Sequence, residues 1–153
     1  MPRRELSDPQ QVERWLEEMS ATLTQPGQLI LIGSGALLWH AAQLGISEGL
    51  PENSMDVDPV TDSDEIAERC YDGMIGSEFE QRHGWHINLM PAAVLREFAA
   101  DWETRAAHRS YGYLNVVVPS PADLLVPKRK RDEPRDRAHI AWAERTGMLD
   151  LKP

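Results

Sequence analysis

Apolar positions recur at helical spacing at the start of the chain, at Val12, Trp15, Leu16 and Met19, which predicts a helix with one buried stripe. Ser7 or Asp8 can cap it, Pro9 suits its first turn, and Gln10 stands at capping-box spacing from Ser7. The segment "TQPGQ" ends it. Leu29 to Ile32 form a short unbroken apolar run, the pattern of a strand buried on both faces. Gly33, Ser34 and Gly35 then predict a tight turn, and Ala36 to Leu44 a helix closed by Gly45. After the loop "ISEGLPENS", "MDVDPV" reads as a second strand ended by Pro59. Asp62 or Ser63 can cap a helix from about Asp64, with Ile66, Ala67 and Cys70 inward. "WHINLM" predicts a third strand before Pro91. Val94, Leu95, Phe98 and Trp102 predict a helix from about Ala92 to Ala107. "YLNVVV" is a further strand. Ser120, Pro121 and Asp123 open a helix, and Pro134 opens the last one, which Gly147 closes. Strands alternating with helices predict an α/β or α+β layer.

Length and composition narrow this picture without changing it. The 153 residues, 41% hydrophobic and 27% charged, suit one globular domain over residues 1–153. No run approaches the roughly 20 apolar residues of a membrane span, so no membrane partner is expected. Arg3 and Arg4 are not followed by an apolar stretch, so the start does not read as a signal peptide. With Cys70 the only cysteine, no internal disulfide can form, and a cytoplasmic location is expected.

Charge adds more. The net charge is −9, yet residues 127–137, "PKRKRDEPRDR", hold six of the sixteen basic residues against three acids. The rest of the chain carries ten basic and twenty-two acidic residues, which argues against a protein that coats nucleic acid non-specifically. A local basic patch can still grip one phosphate group. Consecutive residues on a helix point about 100° apart, so only a subset of the run, Lys128 with Arg131 or Arg135, can reach one site. The same run also reads as a solvated helix face partly paired with Asp132 and Asp136.

Candidate chemistry centres on Asp56 and Asp58. Two apart on a strand, they leave the same face with Cβ atoms roughly 6 to 7 Å apart, a gap suited to carboxylates converging on a divalent metal. Left uncompensated at an effective dielectric near 20, the two charges repel by about 2.5 kcal/mol. An exposed edge strand whose acids face water is the alternative reading. The Gly33-Ser34-Gly35 turn, at a helix start, offers unpaired backbone N–H groups to an anion, with the Ser34 hydroxyl as a further donor. An ordinary helix cap would look the same. Together the two features describe one site: amides for phosphates, carboxylates for their metal. His83 and His86 lack a second Cys or His pair at zinc spacing, and the five scattered tryptophans read as core residues rather than a base-stacking platform.

"LIGSGALLWHAAQLG" followed by "NSMDVDPV" resembles the minimal nucleotidyltransferases, whose signature is a Gly-Gly or Gly-Ser turn followed by an Asp-x-Asp strand. Within that superfamily the chain is most similar to the small AbiEii-type and related proteins, many of them toxins of toxin–antitoxin pairs. "VPSPADLLVPKRKRDEPRDRAHIAW" resembles that group's late helix, with Leu124 and Lys128 in a Leu-x-x-x-Lys pattern. The likeness spans residues 28–142. It implies a nucleotidyltransferase fold, a small mixed sheet flanked by helices. Gly33, Ser34 and Lys128 would contact a nucleoside triphosphate, and Asp56 and Asp58 would bind Mg²⁺ or Mn²⁺. The implied reaction moves a nucleotidyl group to a protein or RNA hydroxyl, with an antitoxin protein as a further partner. The chain departs from the pattern at one place. Where active relatives carry a third acid on a later strand, the matching position holds Asn88, which can coordinate a metal weakly but accepts no proton. His86 shares its face and offers a neutral imidazole as a base. A degenerate protein that binds nucleotide or a protein partner without turnover is therefore the alternative. A carboxylate such as Asp62, Asp64 or Asp101 entering the site would favour the enzyme.

Overall fold

The computed structural model describes residues 6–52 and 54–150; Arg3 and Arg4 lie outside them. Its frame is a five-stranded mixed sheet, in spatial order β3-β2-β1-β5-β4, with helices packed on it. The α/β expectation holds. β1 (Gly27–Ile32) is central, antiparallel to β2 (Asp56–Val60) and parallel to β5 (Leu114–Val118). Leu29, Leu31 and Ile32 are buried, as an apolar run in a covered strand requires.

α1 (Pro9–Ser20) is capped by one of the two residues the sequence offers, with the capping box one position on from Ser7 and Gln10. Asp8, not Ser7, is the N-cap, and the reciprocal partner is Gln11, whose Oε1 accepts from the Ser7 and Asp8 backbone N–H groups at 2.9 and 2.8 Å. α2 (Gly33–Gln43) follows β1 directly, and Gly33, at φ 75°, makes the sharp turn into it. α1 and α2 pack together, and α3 (Asp64–Tyr71), capped by Ser63, places Ile66 and Cys70 inside. Burial pushes the Cys70 thiol up to about 12, which makes it an inert core residue. A short α4 (Glu78–His83) leads into β3. All five tryptophans are buried, as expected of core residues.

Pro59 does not end β2 but lies within it, opposite Leu31. Its carbonyl accepts from Met90 N–H at 2.8 Å, so its backbone polar edge faces β3. β3 (His86–Ile87) is only two residues long, shorter than the predicted strand, and ends where Pro59 cannot donate to it.

The predicted helix over 92–107 is replaced by two 3₁₀ helices, Ala92–Glu97 and Trp102–Arg105, separated by an extended Phe98. β4 (Ala107–Tyr111) then pairs with β5 through a two-residue Gly112-Tyr113 loop, with Gly112 at φ 55°. α5 (Pro121–Arg131), capped by Ser120, contacts both α2 and α6 (Pro134–Arg145). No helix among the described residues is long and apolar enough to cross a membrane.

Candidate active site

The site forms where β1, β2, α2 and α5 meet. Ile32, the last residue of β1, lies directly opposite Asp58, so the start of α2 is carried to the edge of the aspartate pair. Gly33 is required there on two counts. Its φ is +75°, and a Cβ at that position would sit 2.5 Å from Asp58 Oδ2. The absent side chain is the space that the Asp58 carboxylate fills. Gly33→Ala is therefore expected to destabilise the fold by about 2 kcal/mol from the left-handed backbone alone and to displace Asp58. Thermal unfolding and Mn²⁺ titration check this; an unchanged melting temperature and unchanged affinity would contradict it.

Helix α2 differs from its neighbours at the N-terminus. Side chains of Asp8, Ser63, Ser77 and Ser120 cap α1, α3, α4 and α5, whereas α2 has Ile32 at its N-cap and no capping side chain. Its first two residues line a pocket of about 300 Å³, together with Asp56, Asp58, Asn88, Glu97, Lys128, Arg131 and Arg135, among others. Uncapped amides, a helix dipole and three basic side chains on one wall favour an anion. Two carboxylates on another favour a cation.

Asp58 is held in an environment that disfavours its charge. Burial first, and the neighbouring Asp56 charge second, push Asp58 up to about 7. Asn88 Nδ2 donates to Asp58 Oδ1 at 3.2 Å and offsets part of this. Among the described residues no three His, Cys, Asp or Glu side chains converge on one cation position. A pair of carboxylates completed by phosphate oxygens and water is the donor set that Mg²⁺ commonly takes. The residues present thus fit a divalent cation that arrives with a triphosphate.

Lys128, only 5% exposed, is fixed by a buried polar network. Its Nζ donates to Ser34 Oγ at 2.9 Å and to His139 Nδ1 at 3.1 Å, with Asp136 Oδ1 at 3.8 Å. His139 Nε2 donates to the Glu52 carbonyl at 2.9 Å, which leaves Nδ1 as an acceptor. Burial, and then the Lys128 charge, hold His139 down at about 4, so it stays neutral in this role. Burial lowers Lys128 to about 8 while Asp136 opposes the shift, and near neutral pH it remains an ammonium. Asp136 is held in turn by Arg131, at 2.5 and 2.8 Å. Pro127 stays inside α5 and lines the pocket.

Gly33, Ser34, Asp56, Asp58, Asn88 and Lys128 thus come together. His86 does not join them: its Nδ1 lies 2.8 Å from Glu80 Oε2, outside the pocket lining. Asp62, Asp64 and Asp101 are also absent from that lining, and Asp101 pairs with Arg105 at 2.9 Å. Glu97, from the first 3₁₀ helix, is the further acidic residue among those that line the pocket. Of the basic segment, Lys128, Arg131 and Arg135 reach the pocket while Arg129 pairs with Glu144, and Asp132 pairs with Arg137 rather than with Lys128 to Arg131. Asp136 does pair with the run, through Arg131, as the sequence suggested; His139 carries no local motif that sequence reading can find.

A second cavity of about 320 Å³ lies at the far end of α2, lined mostly by apolar groups such as Trp39, Leu44 and Met148. No carboxylate lines it, and its guanidinium groups are committed, Arg105 to Asp101 and Asp123 and Arg109 to Glu13. The polar chemistry is in the other pocket.

A family model described as "Nucleotidyltransferase of unknown function (DUF6036)" matches residues 10–152, nearly the whole chain. No curated protein and no solved structure matches.

Proposed function

Because the chain belongs to the DUF6036 family of nucleotidyltransferases of unknown function, we propose that it moves a nucleotidyl group from a nucleoside triphosphate to a protein or RNA hydroxyl with Mg²⁺ or Mn²⁺. The observation that carries this reading is the convergence of the uncapped α2 N-terminus, the Asp56/Asp58 pair and the buried Lys128 ammonium on one pocket. Gly33 and Ser34 amides and the Lys128 ammonium receive the phosphates. Asp56 and Asp58 hold the cation, which when bound would offset charge developing on the phosphoryl oxygens. The Ser34 hydroxyl, whose oxygen accepts from Lys128 and lies 3.2 Å from His139 Nδ1, would turn its proton from that ring to a phosphate oxygen when the triphosphate binds. Pyrophosphate leaves against this preorganised positive wall.

The AbiEii-type likeness extends the proposal to a toxin–antitoxin setting in the cytoplasm, with an antitoxin protein as partner. The degenerate alternative rests on a specific observation: Asn88, not a third acid, faces the aspartate pair, and Asp62, Asp64 and Asp101 stay outside the pocket. Incubation with each α-labelled triphosphate, Mg²⁺ or Mn²⁺, and bulk tRNA or lysate protein tests the reading. Label should pass to a macromolecule and stop with EDTA. Triphosphate binding without transfer under all conditions would leave the binding protein.

Protons compete with the cation at Asp58. With this carboxyl at about 7, divalent affinity should fall about tenfold from pH 8 to pH 6, and about half a proton should be released per ion bound at pH 7. Isothermal titration of Mn²⁺ in buffers of different ionisation enthalpy measures both quantities. Affinity flat across that range would contradict the assignment of Asp58.

A further inference from the structure

The two side chains assigned to the phosphates, Ser34 on α2 and Lys128 on α5, share one buried neighbour, His139. It stands on a third helix, α6, and is only 1% exposed. It does not line the pocket, so it can act on a bound triphosphate only through other groups. Its Nδ1 lies 3.2 Å from Ser34 Oγ and 3.1 Å from Lys128 Nζ, so one acceptor faces two donors.

Nδ1 accepts only while the ring proton sits on Nε2. The Glu52 carbonyl keeps it there, accepting from Nε2 at 2.9 Å. Glu52 stands four residues before Asp56 and takes a left-handed φ of 50°, uncommon for a residue with a side chain. His139 thus ties α2, α5 and the segment leading to the aspartate strand to one point. One bond to Glu52 would satisfy the ring's donor; the second nitrogen is turned to two side chains of the pocket. Because the imidazole is neutral, it orients the Lys128 ammonium without cancelling the charge a phosphate needs. Asp136, 3.8 Å from the same ammonium, is a carboxylate and cannot do this.

We propose that His139 is a positioning residue for the triphosphate, whose Nδ1 sets the Ser34 hydroxyl and the Lys128 ammonium to receive the phosphates. The proposal rests on the nucleotidyl-transfer reading, which assigns those two groups to phosphate.

The test compares the full-length protein with His139→Asn and His139→Gln, each of which keeps the role of one ring nitrogen. The asparagine Oδ1 stands close to the place of Nδ1 and can accept from Ser34 and Lys128. The glutamine amide reaches toward the place of Nε2 and can donate to Glu52, leaving the two donors without their acceptor. Both variants lose the ring, so both should unfold at a lower temperature than the wild type. Calorimetry then measures binding of an α,β-methylene triphosphate with Mn²⁺. His139→Gln should weaken it by about 10- to 100-fold, the loss expected for a hydrogen bond to a charged group. His139→Asn should stay within about threefold of the wild type by the same measure. Mn²⁺ affinity without triphosphate should be unchanged in both. Triphosphate affinity unchanged in His139→Gln, or lost by about tenfold in His139→Asn, would overturn the proposal and leave the transfer reading standing. A wild type that binds no triphosphate would overturn that reading, and the proposal with it.

Discussion

Asp58→Ala is expected to reduce nucleotidyl transfer by at least about a thousandfold, and Asp56→Ala by a similar factor. The magnitude follows from what the pair would hold. A divalent cation on a transferring phosphoryl group is worth several kcal/mol of transition-state stabilisation, and each 1.4 kcal/mol is tenfold in rate. Asp58→Asn should lose activity in the same way but move stability in the opposite direction. A carboxyl raised to about 7 binds its proton in the folded state at pH values where the unfolded chain has released it. Stability therefore falls as pH rises from about 4 to about 7, and the cost is fully present above that window. At pH 8 without metal, asparagine removes that cost and should raise stability by on the order of 2 kcal/mol. Label transfer and thermal unfolding of the same variant, side by side, check both signs. A variant both inactive and less stable would show that Asp58 is a structural residue.

Asp136→Ala should give the largest loss of stability. The carboxylate is 1% exposed, bound by Arg131 at 2.5 and 2.8 Å, and it faces the buried Lys128 ammonium. Removing one partner of a buried pair leaves an uncompensated charge and costs about 3–5 kcal/mol. For a chain of this size that is a fall in melting temperature of about 10 °C. The hydrogen bonds from Arg131 hold Asp136 down at about 2, despite the opposing effect of burial. Its contribution is thus present above the ordinary carboxylate range and lost as pH falls through about 2. The gap in melting temperature between variant and wild type should narrow from pH 4 to pH 2. A gap of a degree or less at pH 7 would contradict the account of this network.

The parts of the site that were legible in the sequence are the local ones. A Gly-Ser-Gly stretch after an apolar run, and two aspartates at strand spacing, each declare geometry within a few residues. Lys128 and Arg131 follow from helical angles on α5, whereas Arg135 reaches the pocket from the next helix, α6. The misreadings occur where tertiary pairing overrides local pattern. Val94, Leu95, Phe98 and Trp102 have helical spacing, yet Phe98 is extended and buried, and the segment breaks into two 3₁₀ turns. Glu97 was concealed by that misassigned helix. β4 escaped notice because Ala107–Tyr111 is an edge strand with only Tyr111 buried, so it has no apolar alternation. Its one signal was Gly112, two residues before an obvious strand. Asp136 was legible as a partner of the basic run, and Arg131 does bind it, but its link to Lys128 and the role of His139 are set a helix away, where no local pattern marks them.

The central claim is that the aspartate pair and the α2 amides serve one ligand. Diffraction from crystals grown with Mn²⁺ and a triphosphate whose α–β bridging oxygen is replaced by methylene tests it most directly. The expected anomalous peak lies between Asp56 and Asp58, at the ~2.1 Å distance of a hard divalent cation from its oxygen ligands, with the phosphates on Gly33, Ser34 and Lys128. Manganese bound elsewhere, or an analogue seated away from the start of α2, would contradict it.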